Sequence, residues 1–404
     1  MLLKFEKSIY SVSLLLLLYL SSGSLNLFLE GGAHQQGVIN QVQHHGPLTL
    51  ILRIWFPVSG LLVLWAYFVR ATSKQLAPNI FILALLAFSA ASALWADSPY
   101  QALRMSGLIA VSYALIFASK VYFTKEQLYL LICHFLFVMM AASAVFSLFI
   151  PSYGVSVDNS LMWQGVFAHK NTLGNFCAAA FVIFLCGNER SINIFYQWLG
   201  VSLAVFLVFM SKSTTSILAV LVSLFVYILI NKEFLRKWLA SNRNLFFLAV
   251  LFCSFLLVVF ALYGEHVQIL QKDSSFSERD IIWQTVLAKV ANSPILGYGL
   301  EQFKIIFLGE KTRLLYMQGV GVASAHNGFI DLTFSLGITG LVIFIVIMHQ
   351  LISKNNFCPL TVCFFVAFVV INTFEVRLWS FNIFIVLMFF FISYFNHPAS
   401  ARSN

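Results

Sequence analysis

Charged residues are scarce in this 404-residue sequence: Asp, Glu, Lys and Arg make up 10% of it, against roughly 25% in an ordinary soluble domain. Apolar residues instead occur in blocks of about 18–22, long enough to cross a hydrocarbon core of ~30 Å as helices. The strict apolar–polar alternation of transmembrane strands is missing too. These absences exclude a soluble globular domain and predict an all-α polytopic membrane protein.

Cysteine is the next scarce element, with six residues and no CxxC pair. All six lie inside or beside apolar runs, where cysteine packs as a small hydrophobe. A disulfide framework and a cysteine metal site are therefore excluded. His34, His44 and His45 lie in the polar segment 31–46 without an acidic or cysteine partner, which favours a solvated loop over a metal site there.

The apolar runs predict twelve transmembrane helices and one long loop. Residues 1–263 hold nine spans, residues 264–325 form the loop, and residues 326–404 hold three spans and a short tail. The first run follows Lys4 and Lys7 without a small-x-small cleavage site, so we expect a signal anchor. The predicted spans are 9–29, 48–69, 78–95, 104–121, 127–149, 172–187, 194–211, 215–231, 243–263, 327–349, 357–374 and 378–395.

Lys and Arg are distributed unevenly among the connections and tails. They concentrate on one side, which includes Lys4, Lys7, Arg236 and Lys237. Because basic residues accumulate in cytoplasmic loops, we expect both termini in the cytoplasm and the long loop outside, in the periplasm of a Gram-negative cell. This topology accounts for the net charge of +9, which therefore does not indicate nucleic-acid binding.

The long loop contains a predicted amphipathic helix, SERDIIWQTVLAKVANSP. Ser277 fits an N-cap with Asp280 three residues on, Asn292-Ser293-Pro294 ends the helix, and ILGYGLEQF reads as a glycine-rich turn. Arg279 would lie in the first turn, where the helix dipole disfavours a cation, which suggests another task for it. The predicted apolar face comprises Ile282, Val286 and Val290, with Trp283 and Leu287 beside it.

Several polar side chains lie where predicted spans meet the outward face. Each has an ordinary interpretation, because lysines snorkel to the headgroups and asparagines cap helices. Their convergence from separate segments argues for a site, since charge near the bilayer is costly. The candidates are His169, Lys170 and Asn171 before the sixth span, Lys212 between the seventh and eighth, Arg279 in the loop, and His326 and Asn327 at the tenth.

The chemistry of these side chains favours an anion. Lys and Arg without paired acids suit phosphate, and the helix after His326 adds the positive end of its dipole. A dense acidic cluster is missing from that face of the sequence, so we expect fixed cations, without a metal or cofactor, to hold a diphosphate. A neutral His326 could accept the proton of an attacking sugar hydroxyl.

At these residues the sequence resembles the O-antigen ligase and polymerase superfamily, which includes WaaL-type ligases, Wzy-type polymerases and ExoQ-like exopolysaccharide proteins. The resemblance covers roughly residues 90–395 and rests on the motifs, their order, the number of spans and the long loop. The matching motifs are WQGVFAHKNTLGN, SKSTTSILAVLV, SERDIIW followed by PILGYGLEQF, and SAHNGFIDLTFSLGITGLVIF.

The resemblance implies a helical glycosyltransferase of GT-C type in the inner membrane. It would move a glycan from undecaprenyl diphosphate to an acceptor hydroxyl at the periplasmic face, without a metal and with inversion. His326 would be the base or orient the acceptor, and Arg279 and Lys212 would contact the diphosphate. Two positions depart from the family pattern: Lys212 stands where ligases often have arginine, and Ser335 where many relatives have glutamate.

Alternatives from different classes remain open at this stage. Polymerisation of lipid-linked repeat units is our first choice, and ligation to a lipid A core differs from it only in the acceptor. A transporter or flippase is disfavoured, because acids and bases are scarce within the spans and the sequence shows no inverted repeat or pair of broken helices. A non-catalytic partner of other polysaccharide-assembly proteins is the third alternative.

Overall fold

A computed structural model describes residues 2–24, 54–55, 58–63, 65, 78–156, 161–187, 192–263, 274–309, 324–354 and 357–395. Across these residues the regular structure is helical, apart from one isolated β-bridge between Val155 and Trp163. The all-α prediction is confirmed for this part of the chain. The polar segment 31–46 with its three histidines and most of the predicted second span lie outside the described residues.

The helices longer than one turn are numbered here in chain order. They are α1 (Leu2–Ser22), α2 (Ile80–Ala91), α3 (Pro99–Ala118), α4 (Lys125–Phe149), α5 (Lys170–Leu185), α6 (Ile194–Ser211), α7 (Thr214–Asn231), α8 (Glu233–Ser241), α9 (Arg243–Tyr263), α10 (Ser274–Val290), α11 (Phe303–Gly309), α12 (Gly328–Ser353), α13 (Pro359–Phe374) and α14 (Ile383–Phe395).

Six helical stretches in the described part of the chain are long and apolar enough to cross a membrane. They are Pro99–Val121, which extends α3, together with α4, α6, α7, the first part of α9 (Arg243–Phe260) and α12. The apolar helices α2, α5, α13 and α14 are shorter and occupy the predicted third, sixth, eleventh and twelfth spans. A multi-pass membrane protein is therefore supported, while the count of twelve spans and the GT-C architecture stay predictions.

Three of the shorter helices form the centre of the molecule. Every residue of α5 from Leu173 to Leu185 is buried, and α13 and α14 are buried along most of their length. A helix that is apolar on all sides is typical of such an enclosed position. The outer helices expose large apolar side chains instead, as expected of a surface that faces lipid. Examples are Leu245, Leu248, Phe252 and Phe255 on α9, and Leu221, Phe225 and Ile228 on α7.

The helix α12 is broken at Gly337, whose backbone has φ 62° and ψ −172°. The carbonyls of Phe334 and Ser335 accept the N–H groups of Tyr298 and Gly299, at 2.9 and 2.8 Å. The break therefore opens a short seam to which the predicted glycine-rich turn is bonded. That turn is confirmed by positive φ angles at Gly299 and its neighbour Gly297, a conformation that glycine adopts without strain.

The predicted loop helix exists, but its start is corrected. It begins at Ser274, so Ser277 is not its N-cap and Arg279 does not lie in its first turn. The apolar face is largely confirmed: Ile282, Trp283 and Val286 are buried, and Val290 packs against them. Leu287 is 39% exposed and does not belong to that face. This face joins a second apolar cluster at the N-terminal end of α12, which includes Phe303, Phe307, Ile330 and Phe334.

Candidate functional site

The loop helix is fixed beside the start of α12 by a buried tryptophan. The side chain of Trp283 is fully buried, and its indole N–H donates to the carbonyl of Ala325 at 2.8 Å. Arg279 lies one helical turn before Trp283, and His326 directly follows Ala325. The two residues predicted to act on the diphosphate and on the acceptor are thus held next to each other by one hydrogen bond and the apolar cluster around it.

His326 lies at the bend between the loop and α12. Its backbone has φ 50°, a left-handed conformation that a non-glycine residue adopts only when its surroundings hold it there. Asn327 caps α12 with its side-chain oxygen, which accepts the N–H of Ile330 at 3.0 Å. The half-buried imidazole of His326 is therefore held at the N-terminal end of α12.

Glu375 is the acidic centre of the site, and the sequence analysis missed it. One carboxylate oxygen of Glu375 accepts the side-chain N–H of Asn171 at 2.9 Å and lies 4.0 Å from the guanidinium of Arg279. The expectation that the cations lack paired acids is therefore wrong. The signal was present in the sequence: Glu375 lies in EVRLW between two apolar runs, and a charge near the bilayer is costly and tends to mark a function.

The segment after α13 ties the start of α5 to this acid. The backbone N–H of Arg377 donates to the side-chain oxygen of Asn372 at 2.7 Å, and its guanidinium lies 3.3 Å from the hydroxyl of Thr172. Asn171 and Thr172 of α5 therefore meet Glu375 and Arg377 directly. The predicted convergence of separate segments at one face is found here for α5, α10 and the ends of α12 and α13.

Burial and two opposite charges decide the protonation of His326. Its pKa lies below the usual 6.5, mainly because partial burial disfavours the charged imidazolium. Glu375 raises the pKa and Arg279 lowers it, and the net direction is down. The imidazole is therefore neutral at pH 7, which is the form that can accept a proton from a hydroxyl group.

The remaining predicted site residues have more varied positions. His169 is exposed and caps α5, with its Nδ1 accepting the backbone N–H of Asn171 at 3.2 Å. The ammonium group of Lys170 is 2.7 Å from the sulfur of Met162. Lys212 is exposed and ends α6 in a left-handed conformation, with φ 50°. The segment around Lys212 packs on α5, where Gly174 lies against the side chains of Ser211, Ser213 and Ser216.

Asn327 has a structural role that the sequence analysis did not separate from binding. Its side chain is fully buried. The amide N–H group donates to the carbonyl of Thr373 at 2.9 Å while the oxygen caps α12. Both ends of the amide are thus bonded inside the protein, which agrees with the helix-cap interpretation, while diphosphate binding by Asn327 stays a prediction. It joins α12 to the end of α13, next to Glu375.

The fold and this site define a helical membrane protein that holds a neutral histidine, an arginine and a carboxylate together at one rim. Comparison with known proteins agrees with this class. Residues 199–345 match the family model described as O-antigen ligase. The matched range contains Lys212, Arg279 and His326, and it ends before Glu375.

Two similar proteins, both named for polysaccharide production or ligation, narrow the class of membrane protein that this chain resembles. The chain is 22% identical over 351 residues to the exopolysaccharide production protein ExoQ of Rhizobium meliloti (strain 1021), covering 80% of this chain and 73% of that protein. It is 27% identical over 115 residues to a putative polysaccharide ligase of Rickettsia conorii, covering 26% of this chain and 28% of that protein. These similarities confirm the predicted resemblance to the O-antigen ligase and polymerase superfamily, and they support a membrane polysaccharide ligase or polymerase.

Proposed function

We propose that this protein is a membrane glycosyltransferase of surface polysaccharide synthesis, which moves a glycan from undecaprenyl diphosphate to an acceptor sugar hydroxyl at the periplasmic face of the bacterial inner membrane. The observation that carries the proposal is the arrangement of His326 beside Arg279 and Glu375 at the outer end of α12. A proton acceptor and a fixed cation at one point are what such a transfer requires.

In the proposed reaction, the acceptor oxygen attacks the anomeric carbon of the lipid-linked glycan and the bond from that carbon to the diphosphate oxygen breaks. Neutral His326 takes the proton of the attacking hydroxyl. Arg279 stabilises the negative charge that develops on the departing lipid diphosphate. Displacement from the opposite face inverts the anomeric centre, and because cations fixed in the protein act on the diphosphate, we expect turnover to persist in EDTA.

Glu375 would position the guanidinium of Arg279 and raise the pKa of His326. Its carboxylate lies 4.0 Å from the Arg279 guanidinium and accepts a hydrogen bond from Asn171, so it can hold Arg279 in place before the substrate arrives. We assign the first turn of α5, with His169 and Lys170, and Lys212 to the wider diphosphate surface. Their side chains belong to segments that pack together at the outer end of α5.

Polymerisation of repeat units is our first choice for the reaction. It is favoured by the similarity to an exopolysaccharide production protein, which extends over 80% of this chain. Ligation of the glycan to a lipid A core is the second candidate. It is favoured by the O-antigen ligase model over residues 199–345 and by the shorter similarity to a putative polysaccharide ligase. The two differ in the acceptor, and the donor side of the site serves both.

The experiment that tests the proposal is a gene deletion complemented with wild type, His326→Ala or His134→Ala. Surface polysaccharide and lipopolysaccharide are separated on gels, and the amount of each protein in the membrane is measured beside them. We expect His326→Ala to reach the wild-type protein level and to leave glycan synthesis unrestored. His134→Ala on α4 is the matched control, because His134 is exposed and lies outside the residues assigned to the site, and it should retain most of the activity.

The accumulated glycan separates the candidates. Single lipid-linked repeats would mark a polymerase, and long lipid-linked chains that do not reach the core would mark a ligase. Full restoration of glycan synthesis by His326→Ala would overturn the catalytic assignment of His326. It would favour a transporter or a non-catalytic partner of the assembly proteins instead. Transfer of glycan by the purified protein would exclude both of those classes.

A further inference from the structure

An open pocket lies beside His326 on the side of α12. It is partly open to solvent, and the space that it encloses has a volume of about 90 Å³. Ser324 and Gly328 line it from either side of His326, and Val376, which follows Glu375, lines it as well. The pocket therefore begins where the proposed base and its acidic neighbour are held.

The polar lining of this pocket differs from the diphosphate side. It contains two carboxylates, three hydroxyls and one cation: Glu301, Asp331, Ser324, Ser335, Ser380 and Lys304. Carboxyl groups accept hydrogen bonds and, once protonated, also donate them, and burial raises the pKa of Glu301 in this direction. Serine hydroxyls both accept and donate. Such a lining suits a ligand rich in hydroxyl groups. This lining contains no guanidinium that could bind a diphosphate through two parallel hydrogen bonds, whereas the other side of the site has Arg279.

An aromatic wall completes the pocket. Trp379 lines it, and the ring is fixed because its indole N–H donates to the hydroxyl of Ser89 at 2.8 Å. The ring also packs edge-on against Phe344 and Phe389. An apolar ring edge among hydroxyl and carboxylate groups matches a sugar ring, which carries C–H surfaces between its hydroxyls.

The wall that carries Glu301 is rigidly anchored. The neighbouring Gln302 is fully buried, accepts the backbone N–H of Ser98 at 2.7 Å and donates back to the Ser98 carbonyl at 3.1 Å. The N–H of Leu300 donates to the hydroxyl of Ser92 at 3.1 Å. Asp331, on the opposite side, accepts the N–H of Ala325 at 3.3 Å and so links the pocket to the residue before His326. A wall fixed before the ligand arrives favours oriented binding.

We propose that this pocket binds the acceptor: an uncharged sugar unit whose hydroxyl groups bond to Glu301, Asp331 and the serines, so that one hydroxyl is presented to His326. The inference rests on the proposed function and adds to it a division of the site. Diphosphate is held on the side of Arg279, and the acceptor sugar on the side of Asp331.

The test uses the full-length protein in lipid nanodiscs and two kinds of probe. The first is undecaprenyl diphosphate. The second is an oligosaccharide, and two are tested. One is the repeat unit, released by mild acid from the lipid-linked glycan of the deletion strain. The other is the core oligosaccharide, released from the lipopolysaccharide of the same strain. Binding of each probe is measured for the wild type, for Glu301→Ala and Asp331→Asn in the pocket, for Arg279→Gln on the diphosphate side, and for Asp97→Asn. Asp97 is the matched control, because it is an exposed carboxylate beside Ser98 that does not line the pocket.

We expect the wild type to bind one of the two oligosaccharides, and each pocket variant to bind it about tenfold more weakly, as for the loss of one hydrogen bond to a charged group. Undecaprenyl diphosphate should bind the pocket variants as it binds the wild type. Arg279→Gln should show the reverse pattern, and Asp97→Asn should change neither. The proposal would be overturned if the wild type bound neither oligosaccharide. It would also be overturned if both pocket variants bound the oligosaccharide as tightly as the wild type.

Turnover of the lipid-linked glycan separates this inference from the proposed function. With an active wild type, the pocket variants should raise KM for the acceptor and leave KM for the donor unchanged. An unchanged acceptor KM would remove the pocket from the reaction while the transferase stands. If the wild type binds the oligosaccharide through Glu301 and Asp331 but transfers nothing, the sugar site stands and the transferase fails. Thermal unfolding of each variant checks that the fold is retained, and Ser380→Ala gives a further pocket variant if Glu301→Ala unfolds.

Discussion

The indole N–H of Trp283 lies 2.8 Å from the backbone carbonyl of Ala325, and both residues are fully buried. This contact joins the loop helix α10 to the entry of α12. Arg279 is one helical turn from its donor and His326 is next to its acceptor, so one hydrogen bond sets the relation between the cation and the base. The loop is in this sense a part of the site that the membrane helices alone could not supply.

Trp283→Phe should therefore reduce glycan transfer more than it reduces the amount of folded protein. The change removes the N–H group and leaves the buried Ala325 carbonyl without its partner, at a cost of about 1–3 kcal/mol, while most of the apolar ring contacts remain. Transfer by purified protein and thermal unfolding are measured together. The matched control is Trp198→Phe on α6, where the ring is 55% exposed. Equal effects of the two substitutions would contradict the coupling.

The pH dependence of transfer should follow the neutral form of His326. Because burial and Arg279 hold its pKa below 6.5, kcat/KM should be constant near pH 7 and should fall only as the pH drops through that lowered value. Arg279→Gln removes a positive charge that lowers the pKa, so the acid limb of its residual activity should move to higher pH. Glu375→Gln removes a negative charge that raises the pKa, so its acid limb should move to lower pH. Shifts in the same direction would exclude His326 as the titrating base.

Lys212 should matter through its charge and not through its conformation. It ends α6 at φ 50°, a conformation that glycine adopts more easily, so Lys212→Gly should leave the free energy of unfolding unchanged or raise it by up to ~1 kcal/mol. Loss of the charge should weaken undecaprenyl diphosphate binding by about tenfold. Lys212→Arg keeps the charge and should bind as the wild type does. Binding by Lys212→Gly that equals the wild type would remove Lys212 from the diphosphate surface.

Gly337→Ala should open the seam between α12 and the loop. The residue has φ 62°, and an added Cβ would collide with the carbonyl of Ile295. Strain of this kind costs on the order of 1–3 kcal/mol, so both the thermal stability and the transfer activity should fall. Gly60→Ala is the control, since a Cβ there meets no atom within 4 Å among those of the described residues, and its stability should be unchanged or higher. Wild-type behaviour of Gly337→Ala would show that the seam does not hold the loop.

The sequence predicted the parts of the site that depend on local pattern. Blocks of apolar residues identified the membrane class, the 3.6-residue period of Ile282, Val286 and Val290 identified the buried face of the loop helix, and the glycines in ILGYGL identified the turn. The start of α10 was missed because capping residues also occur inside helices. Leu287 was predicted beside the apolar face, but it is 39% exposed, because which neighbours cover a helix depends on packing that the sequence does not show.

What the sequence determined by itself is therefore the chemical inventory at one rim: a histidine, an arginine and lysines beside long apolar runs, in a pattern similar to O-antigen ligases and polymerases. What only the tertiary structure decided is the pairing of these groups. Glu375 meets Arg279 and Asn171 because α13 ends where α5 begins, and Asn327 is buried because α12 starts against α13. Contacts between residues far apart in the chain follow from packing in three dimensions, and no local period or motif encodes them.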